Sequence, residues 1–286
     1  MSTPAVEREE IVIEATRGLR AFAWRDLWAY RDLLWLLVWR DFATRYKQTI
    51  LGPLWFIVQP VLQTLIFSVV FGGFAKIPTA GVPAQLFYLC GLVPWGYFSQ
   101  TFQSTSSTLV ANAGLFGKVY FPRLIVPLAG ALSNLLAFVI QLATFAAFYV
   151  FFKFTPQAAS FGLQWDALLL PIALLHVAAL SFGVGLWLAA LTAKFRDFTV
   201  LAGFLIQLWM YVTPVIYPLS QVPGRWRTLV ALNPMTMPVE CFRHALLGAG
   251  SPSVALLGLS VGVTVVVLLS GLVIFQQVEK TFVDVI

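Results

Sequence analysis

The chain alternates between long tracts without a charged side chain and short polar segments. Six stretches contain no Asp, Glu, Lys or Arg: 48–75, 77–117, 124–152, 167–193, 198–224 and 244–278. A helix that crosses about 30 Å of hydrocarbon needs roughly 20 apolar residues, so each stretch can hold one. The pattern therefore predicts six membrane-spanning helices.

The predicted spans are 51–74, 86–109, 124–152, 167–193, 198–217 and 254–276. The second stretch is long enough for two helices, but its second half is too polar because of Ser104 to Ser107, Asn112 and Gly114. Composition agrees with a membrane protein, since 59% of residues are hydrophobic and 10% are charged, against about 25% charged in soluble domains. We predict an all-α integral membrane protein.

Positive charge sets the predicted orientation, because Lys and Arg favour cytoplasmic loops. With six spans both termini share one side, which collects thirteen of the 18 basic residues. Both termini are expected to be cytoplasmic. The bias depends on the N-terminal segment, since the remaining loops divide five against five. The net charge of +6 is thus a topology signal and does not indicate nucleic-acid binding.

The residues before the first span divide into two parts. Segment 1–22 contains Glu7, Glu9, Glu10 and Glu14 ahead of any apolar run and is expected to be a cytoplasmic tail. In segment 23–50, aromatic residues recur at helical spacing, which predicts an amphipathic helix in the membrane interface. These residues are Trp24, Trp28, Trp35, Trp39, Phe42 and Tyr46.

No motif for catalysis, a cofactor or a metal is found in the sequence, so no such residue is predicted. His176 is the one plausible titratable group at depth, and we expect it to be hydrogen-bonded within the protein rather than to carry protons. Gly117-Lys118-Val119 lacks the upstream glycine and the Ser or Thr of a phosphate-binding loop. If the protein transports a substrate, the energy of ATP hydrolysis would therefore have to come from a partner protein.

Several ordered motifs resemble the permease subunits of ABC-2 type exporters of polysaccharides, as in O-antigen and teichoic-acid export. The resemblance extends from about Asp26 to the C-terminus, with Thr213 where many members have Ser. The matching motifs are Arg40-Asp41, Arg45-Tyr46-Lys47-Gln48, Leu51-Gly52-Pro53-Leu54-Trp55, Gln59-Pro60, Lys118-Val119-Tyr120-Phe121-Pro122-Arg123, Arg196-Asp197, Pro214-Val215-Ile216-Tyr217-Pro218, and Asn233-Pro234 with Arg243.

This resemblance implies a homodimer in the bacterial inner membrane, with two copies of an ABC ATPase bound on its cytoplasmic side. The ATPase would carry the ATP and magnesium. Six residues become candidates for contact with the ATPase: Arg40, Asp41, Arg45, Lys118, Tyr120 and Arg123. For the basic residues, topology and headgroup anchoring explain the pattern nearly as well.

Segment 219–250, between spans five and six, is too polar to cross a membrane and is interrupted by prolines. It is expected to form short re-entrant helices that also shelter Arg225, Arg227 and Arg243, and the resemblance makes it an outer gate. The gate candidates are Tyr217, Pro218, Trp226, Asn233, Pro234 and Arg243.

A polar glycan would need a path lined by amides and aromatic rings. Candidates for this path are Gln59, Gln63, Gln100, Gln103, Trp55, Trp95 and Tyr97. Interhelical hydrogen bonds explain the amides equally well, and aromatic belts at the interfaces are expected to account for most of the aromatic residues.

Lipid-linked cargo, such as an undecaprenyl-diphosphate glycan, would need cations near the membrane surface. The candidates are Arg25, Arg31, Arg40, Arg45 and Lys47. Export of a drug or lipid by a related permease, or a non-transport scaffold in the envelope, remains an alternative. Pairing of Cys90 with Cys241 is left open.

Overall fold

A computed structural model describes residues 24–45, 47, 49–116 and 121–282, and among these residues it contains helices but no strand. The predicted tail 1–22 lies outside them. The α-helices of the described part are α1 (Trp24–Ala29), α2 (Arg31–Thr44), α3 (Trp55–Phe67), α4 (Ala84–Ser106), α5 (Thr108–Ala111), α6 (Ala113–Phe116), α7 (Ile125–Lys153), α8 (Leu170–Lys194), α9 (Asp197–Val212), α10 (Gly224–Leu232), α11 (Thr236–Leu247) and α12 (Val254–Phe282).

Four helical segments of the described chain are long and apolar enough to cross a membrane. The first joins α3 to a short helical turn before it and a π-helical segment after it. The four segments are Gly52–Phe74, Ile125–Lys153, Trp165–Lys194 and Val254–Glu279. They begin and end within three residues of predicted spans one, three, four and six, so charge-free tracts locate these helices well.

The other two predicted spans differ from the helices that the structure contains. Helix α4 has 23 residues, but Gln, Ser and Thr fill its second half. Helix α9 has 16 residues and ends at Val212, so the predicted end at residue 217 is wrong. Pro214 explains this end, because proline has no N–H to donate and disfavours helical geometry in the residue before it.

The predicted interfacial helix is two helices, α1 and α2, and α2 ends at Thr44 rather than at residue 50. Leu37 and Val38 are buried in a cluster that includes residues of α7. Trp35 and Trp39 remain exposed, at 66% and 63%. Helix α2 therefore has one side packed on the bundle and another side covered with exposed aromatic rings.

The long helices run back and forth between two ends of the bundle. At the α2 end, Arg123 before α7 contacts Glu279 near the end of α12. At the α11 end, the backbone N–H of Gln164 donates to the carbonyl of Ala245, 2.8 Å away. These two ends are called the α2 end and the α11 end below.

Small residues bring α8 and α12 close together. A Cβ added to Gly183 would lie 2.8 Å from the Cα of Leu268, and one added to Gly271 would lie 2.6 Å from the carbonyl oxygen of Gly183. Close backbone approach through glycine is a recurrent way to pack membrane helices. These two glycines therefore fix how α8 and α12 cross.

Helix α4 forms the centre of the larger hydrophobic cluster. Phe87, Phe98 and Phe102 are almost fully buried, and the ring of Phe98 packs edge-on against Trp209 of α9 with centroids 5.0 Å apart. The two cysteines are free, so the structure contains no bond between Cys90 and Cys241.

Candidate functional site

A fully buried arginine, Arg243 on α11, is the centre of the polar cluster at the α11 end. Its guanidinium lies over the ring of Phe87, with Cζ 3.9 Å from the ring centroid. Gly91, one turn further along α4, leaves the space that the guanidinium fills, because a Cβ there would lie 3.0 Å from Nη2 of Arg243. Two residues of α4 therefore form the pocket for this cation.

Arg243 binds the chain segment that follows α9. Its Nη1 donates to the carbonyls of Pro214 and Tyr217, and its Nη2 donates to that of Val215. The carboxylate of Glu240, one turn earlier on α11, lies 3.5 Å from Nη1. A buried guanidinium stays charged, so paired carbonyls and a carboxylate are the partners it needs.

Asn233 fixes the same segment from the turn between α10 and α11. Its Oδ1 accepts from Nε1 of Trp209 at 2.9 Å, and its Nδ2 donates to Oγ1 of Thr213 at 2.9 Å. The amide thus ties the last turn of α9 to the start of α11. The hydroxyl of Thr213 accepts this hydrogen bond, as the Ser found at this position in many similar proteins also could.

The neighbouring Pro234 is linked to α8 and α12. Its carbonyl accepts from Oγ of Ser260 at 2.6 Å, and Ser260 and Thr264 both contact Nε2 of His176, at 3.2 and 2.9 Å. His176 is therefore hydrogen-bonded within the protein, as the sequence predicted.

The structure brings together all but one of the gate candidates. Tyr217, Pro218, Asn233, Pro234 and Arg243 lie in or beside this network, which we call the Arg243 cluster. Trp226 is 52% exposed and stacks with the guanidinium of Arg225 instead. Arg225 and Arg227 are exposed as well, so the expectation that segment 219–250 shelters all three arginines is wrong for two of them.

At the α2 end, the basic candidates have different partners. Arg40 donates to Oδ1 of Asp41 through Nε and Nη2, at 3.0 and 2.8 Å. Arg31 lies 3.8 Å from Asp32 and over Trp28.

Arg45 has a different kind of partner, since its Nη1 donates to Oε1 of Gln100 on α4 at 3.4 Å. Lys47 is exposed. The side chain of Arg25 lies outside the described part of the chain.

Arg123 connects the loop before α7 to α12. Its backbone N–H donates to Oε1 of Glu279 at 3.3 Å, its guanidinium donates to the carbonyl of Glu279, and its Cζ lies 5.6 Å from the ring centroid of Phe116. The remaining two candidates for ATPase contact, Lys118 and Tyr120, lie outside the described residues.

A polar stripe follows one side of α4 towards the α2 end. Gly96, Gln100, Gln103 and Ser107 recur at intervals of three or four residues, which places them on one face. Oε1 of Gln141 lies close to this stripe, 3.0 Å from where a Cβ of Gly96 would be. The neutral amides predicted as path residues on α4 are thus neighbours.

At the α2 end of this stripe, Gln103 and Ser107 line a groove of about 280 Å³ between α4 and α9. The groove is lined by Gln103, Ser104, Ser106, Ser107, Thr199, Ala202 and Gly203. The serines and Thr199 were missed as site residues, although the polar run 104–107 was visible in the sequence. Its meaning required knowing which part of α9 lies opposite.

The other path candidates lie in two environments. Gln59 and Trp55 are exposed on α3, and Gln63, one turn after Gln59, is half-buried. Trp95 and Tyr97 are only 5% and 4% exposed and pack within the core. Their rings face neighbouring helices of the same chain rather than an open surface.

Long apolar helices, a buried polar cluster at one end and a polar groove at the other are features of a helical membrane protein. The ABC-2 type transporter family profile matches residues 32–247. The chain belongs to this family.

Similar proteins cover nearly the whole chain. O-antigen export system permease protein RfbA of Myxococcus xanthus is 28% identical over 263 residues, covering 91% of this chain and 97% of that protein. RfbA of Klebsiella pneumoniae is 24% identical, covering 89% and 95%. Polysialic acid transport protein KpsM of Escherichia coli is 25% identical, covering 84% and 91%.

Proposed function

We propose that this chain is the membrane-spanning permease subunit of an ATP-driven exporter that moves a polysaccharide, such as an O-antigen, from the cytoplasm across the bacterial inner membrane. The observation that carries this proposal is its near full-length similarity to export permeases named for O-antigen and polysialic acid. The polar groove on α4 supports a hydrophilic cargo, since a hydrophobic drug or lipid would not need it.

In this proposal α4 and α9 add two crossings to the four apolar segments, which gives six spans with both termini in the cytoplasm. The 23 residues of α4 extend about 34 Å at 1.5 Å per residue, enough to cross the hydrocarbon core. The 16 residues of α9 extend about 24 Å, and the segment bound by Arg243 completes that crossing. Helices α10 and α11 then dip back into the outer leaflet as gate helices.

The α2 end receives the ATPase in the proposed assembly of two permease chains and two ATPase subunits. Arg40 and Asp41 are half-buried on α2, and Arg123 is tied to α12 through Glu279. Both positions are therefore held by packed helices and can transmit force. Lys118 and Tyr120 belong to the same proposed contact surface, and ATP with its magnesium binds to the partner subunit.

The cargo path runs along the polar faces of α3 and α4, with Gln59, Gln63, Gln100, Gln103 and Trp55 as lining residues. Amides at membrane depth need a polar partner or a wet cavity, and a glycan supplies hydroxyls. The Arg243 cluster holds the loop at the far end of this path as the outer gate. Trp95 and Tyr97 support the path from behind.

A deletion strain of the producing bacterium tests the function. Loss of this chain is expected to abolish the surface polysaccharide and to leave the lipid-linked glycan inside the cell, with both restored by the wild-type gene. Surface display is measured by antibody labelling, and the retained glycan by extraction from spheroplasts. Unchanged surface polysaccharide in the deletion strain contradicts the proposal.

A further inference from the structure

The groove between α4 and α9 contains polar groups that have no hydrogen-bond partner in the described part of the chain. The side-chain amide of Gln103 is exposed there, and Thr199 opposite it is exposed as well. In hydrocarbon, an unpaired amide or hydroxyl costs free energy. These two groups therefore face water or a polar ligand when the protein is in a membrane.

A cation contacts α4 one turn before the groove lining begins. Gln103 and Gln100 are one turn apart on α4, and Oε1 of Gln100 accepts from Nη1 of Arg45 at 3.4 Å. Carboxylates accompany Arg31 and Arg40 at 3.8 and 2.8 Å, whereas the partner seen for Arg45 is a neutral amide. No carboxylate is therefore paired with Arg45 among the described contacts, and guanidinium groups bind phosphate oxygens in pairs.

We propose that the groove is a loading site for the first, phosphoryl-linked sugar of the cargo. Arg45 binds the phosphate, and Gln100, Gln103, Ser107 and Thr199 bind hydroxyls of the adjoining sugar. This inference rests on the proposed function and identifies the part of the cargo that is recognised.

The size of the groove supports one sugar unit rather than a length of polymer. Its volume of about 280 Å³ lies just below the range of roughly 300–1,000 Å³ for small-molecule sites. Its lining contains no acidic residue, so nothing in the lining itself repels a phosphate. The lipid tail of the cargo would stay in the bilayer beside it.

Gly203 offers a way to fill the groove without disturbing packing, because a Cβ added there meets nothing within 4 Å. Gly262 on α12 is equally open and does not line the groove, so it supplies a matched control. The complex with its ATPase is placed in vesicles, and ATP hydrolysis is measured against the concentration of a lipid-diphosphate oligosaccharide. Gly203→Phe is expected to raise the half-saturating concentration about tenfold or more, as loss of one charge-assisted hydrogen bond would, while Gly262→Phe leaves it unchanged.

Substitutions at three positions separate the phosphate contact from the sugar contacts. Arg45→Gln is expected to weaken stimulation by the lipid-diphosphate oligosaccharide, with partial recovery in Arg45→Lys. Gln103→Leu and Thr199→Val are expected to raise the half-saturating concentration with little change in the maximal rate. Gln277→Leu and Lys194→Gln, which change an amide and a cation outside the groove lining, are the controls.

Free inorganic pyrophosphate and the free oligosaccharide are added separately as competitors. Competition by both in the wild type, with the pyrophosphate effect lost in Arg45→Gln, supports the loading site. If the wild type responds to the lipid-linked probe and all groove variants match it, the loading site is overturned and the proposed function stands. If the wild type itself neither responds to nor transports the probe, both are overturned.

Discussion

At the scale of single residues, Arg243 has the most demanding environment in the described chain. It is fully buried, and it is paired with Glu240 and with carbonyls of the segment after α9. A charge in such a position is tolerated only while its partners remain, because each partner would otherwise be buried without compensation. The residue therefore couples the fold of α11 to the position of that segment.

Replacing Arg243 by Leu is expected to lower the free energy of unfolding by about 3–5 kcal/mol, the cost of leaving a buried charge without its partner. The measurement is thermal unfolding of the detergent-purified protein. Arg227→Leu, at an exposed position of α10, is the control and should change little. The double variant Glu240→Gln with Arg243→Leu should lose less than the single one, since no charge is left unpaired, and an equal or larger loss contradicts this explanation.

At the scale of helices, glycine positions on α12 differ in what surrounds them. Gly271 faces the backbone of Gly183 on α8, whereas Gly262 faces open space. The same substitution at the two positions therefore has different consequences. Close helix crossing depends on one of them and not on the other.

Gly271→Val is expected to destabilise the protein by about 1–3 kcal/mol, the range for inserting atoms into a packed interior. Gly262→Val should be close to neutral. Both are measured by the same thermal unfolding assay. Equal effects at the two positions would show that the α8–α12 crossing is not as close as described.

Helix α2 offers a second matched pair, in adjacent residues. Leu37 is 3% exposed and Leu36 is 65% exposed. Leu37→Ala should destabilise the protein by about 2–5 kcal/mol because it leaves a cavity, and it should weaken binding of the ATPase if α2 transmits force. Leu36→Ala should change the unfolding temperature little, and a larger effect there would place the packed side of α2 wrongly.

Sequence patterns predicted these helices unevenly. Charge-free tracts located α3, α7, α8 and α12 because a long apolar helix has few alternatives in a membrane. The end of α9 was missed because hydrophobic residues continue past Val212, and only Pro214 marks the break.

The sites were harder to predict than the helices. The sequence suggested two interpretations of Trp95 and Tyr97, a place in an interfacial belt or in a cargo path. Burial in the core of one chain was not predicted, because residue spacing does not say which face of a helix meets another helix. Arg243 was singled out by its motif, but its contacts with Phe87 and Gly91 come from a distant helix.

At the scale of the whole molecule, the two ends of the bundle have different chemistry. The α11 end contains the Arg243 cluster, with its buried ion pair, and the α2 end contains exposed aromatic rings and the polar groove between α4 and α9. A permease that loads cargo at one face and releases it at the other requires such a difference. In the proposed account the partner ATPase supplies the energy at the α2 end.

Transport by the purified complex tests this account most directly. Vesicles contain this chain with or without its ATPase, and a fluorescent lipid-linked oligosaccharide is followed as ATP is added. We predict movement across the membrane with the complete complex and ATP, and none with the permease alone. Uphill transport by this chain without the ATPase, or no transport by a complete complex that hydrolyses ATP, would contradict the account.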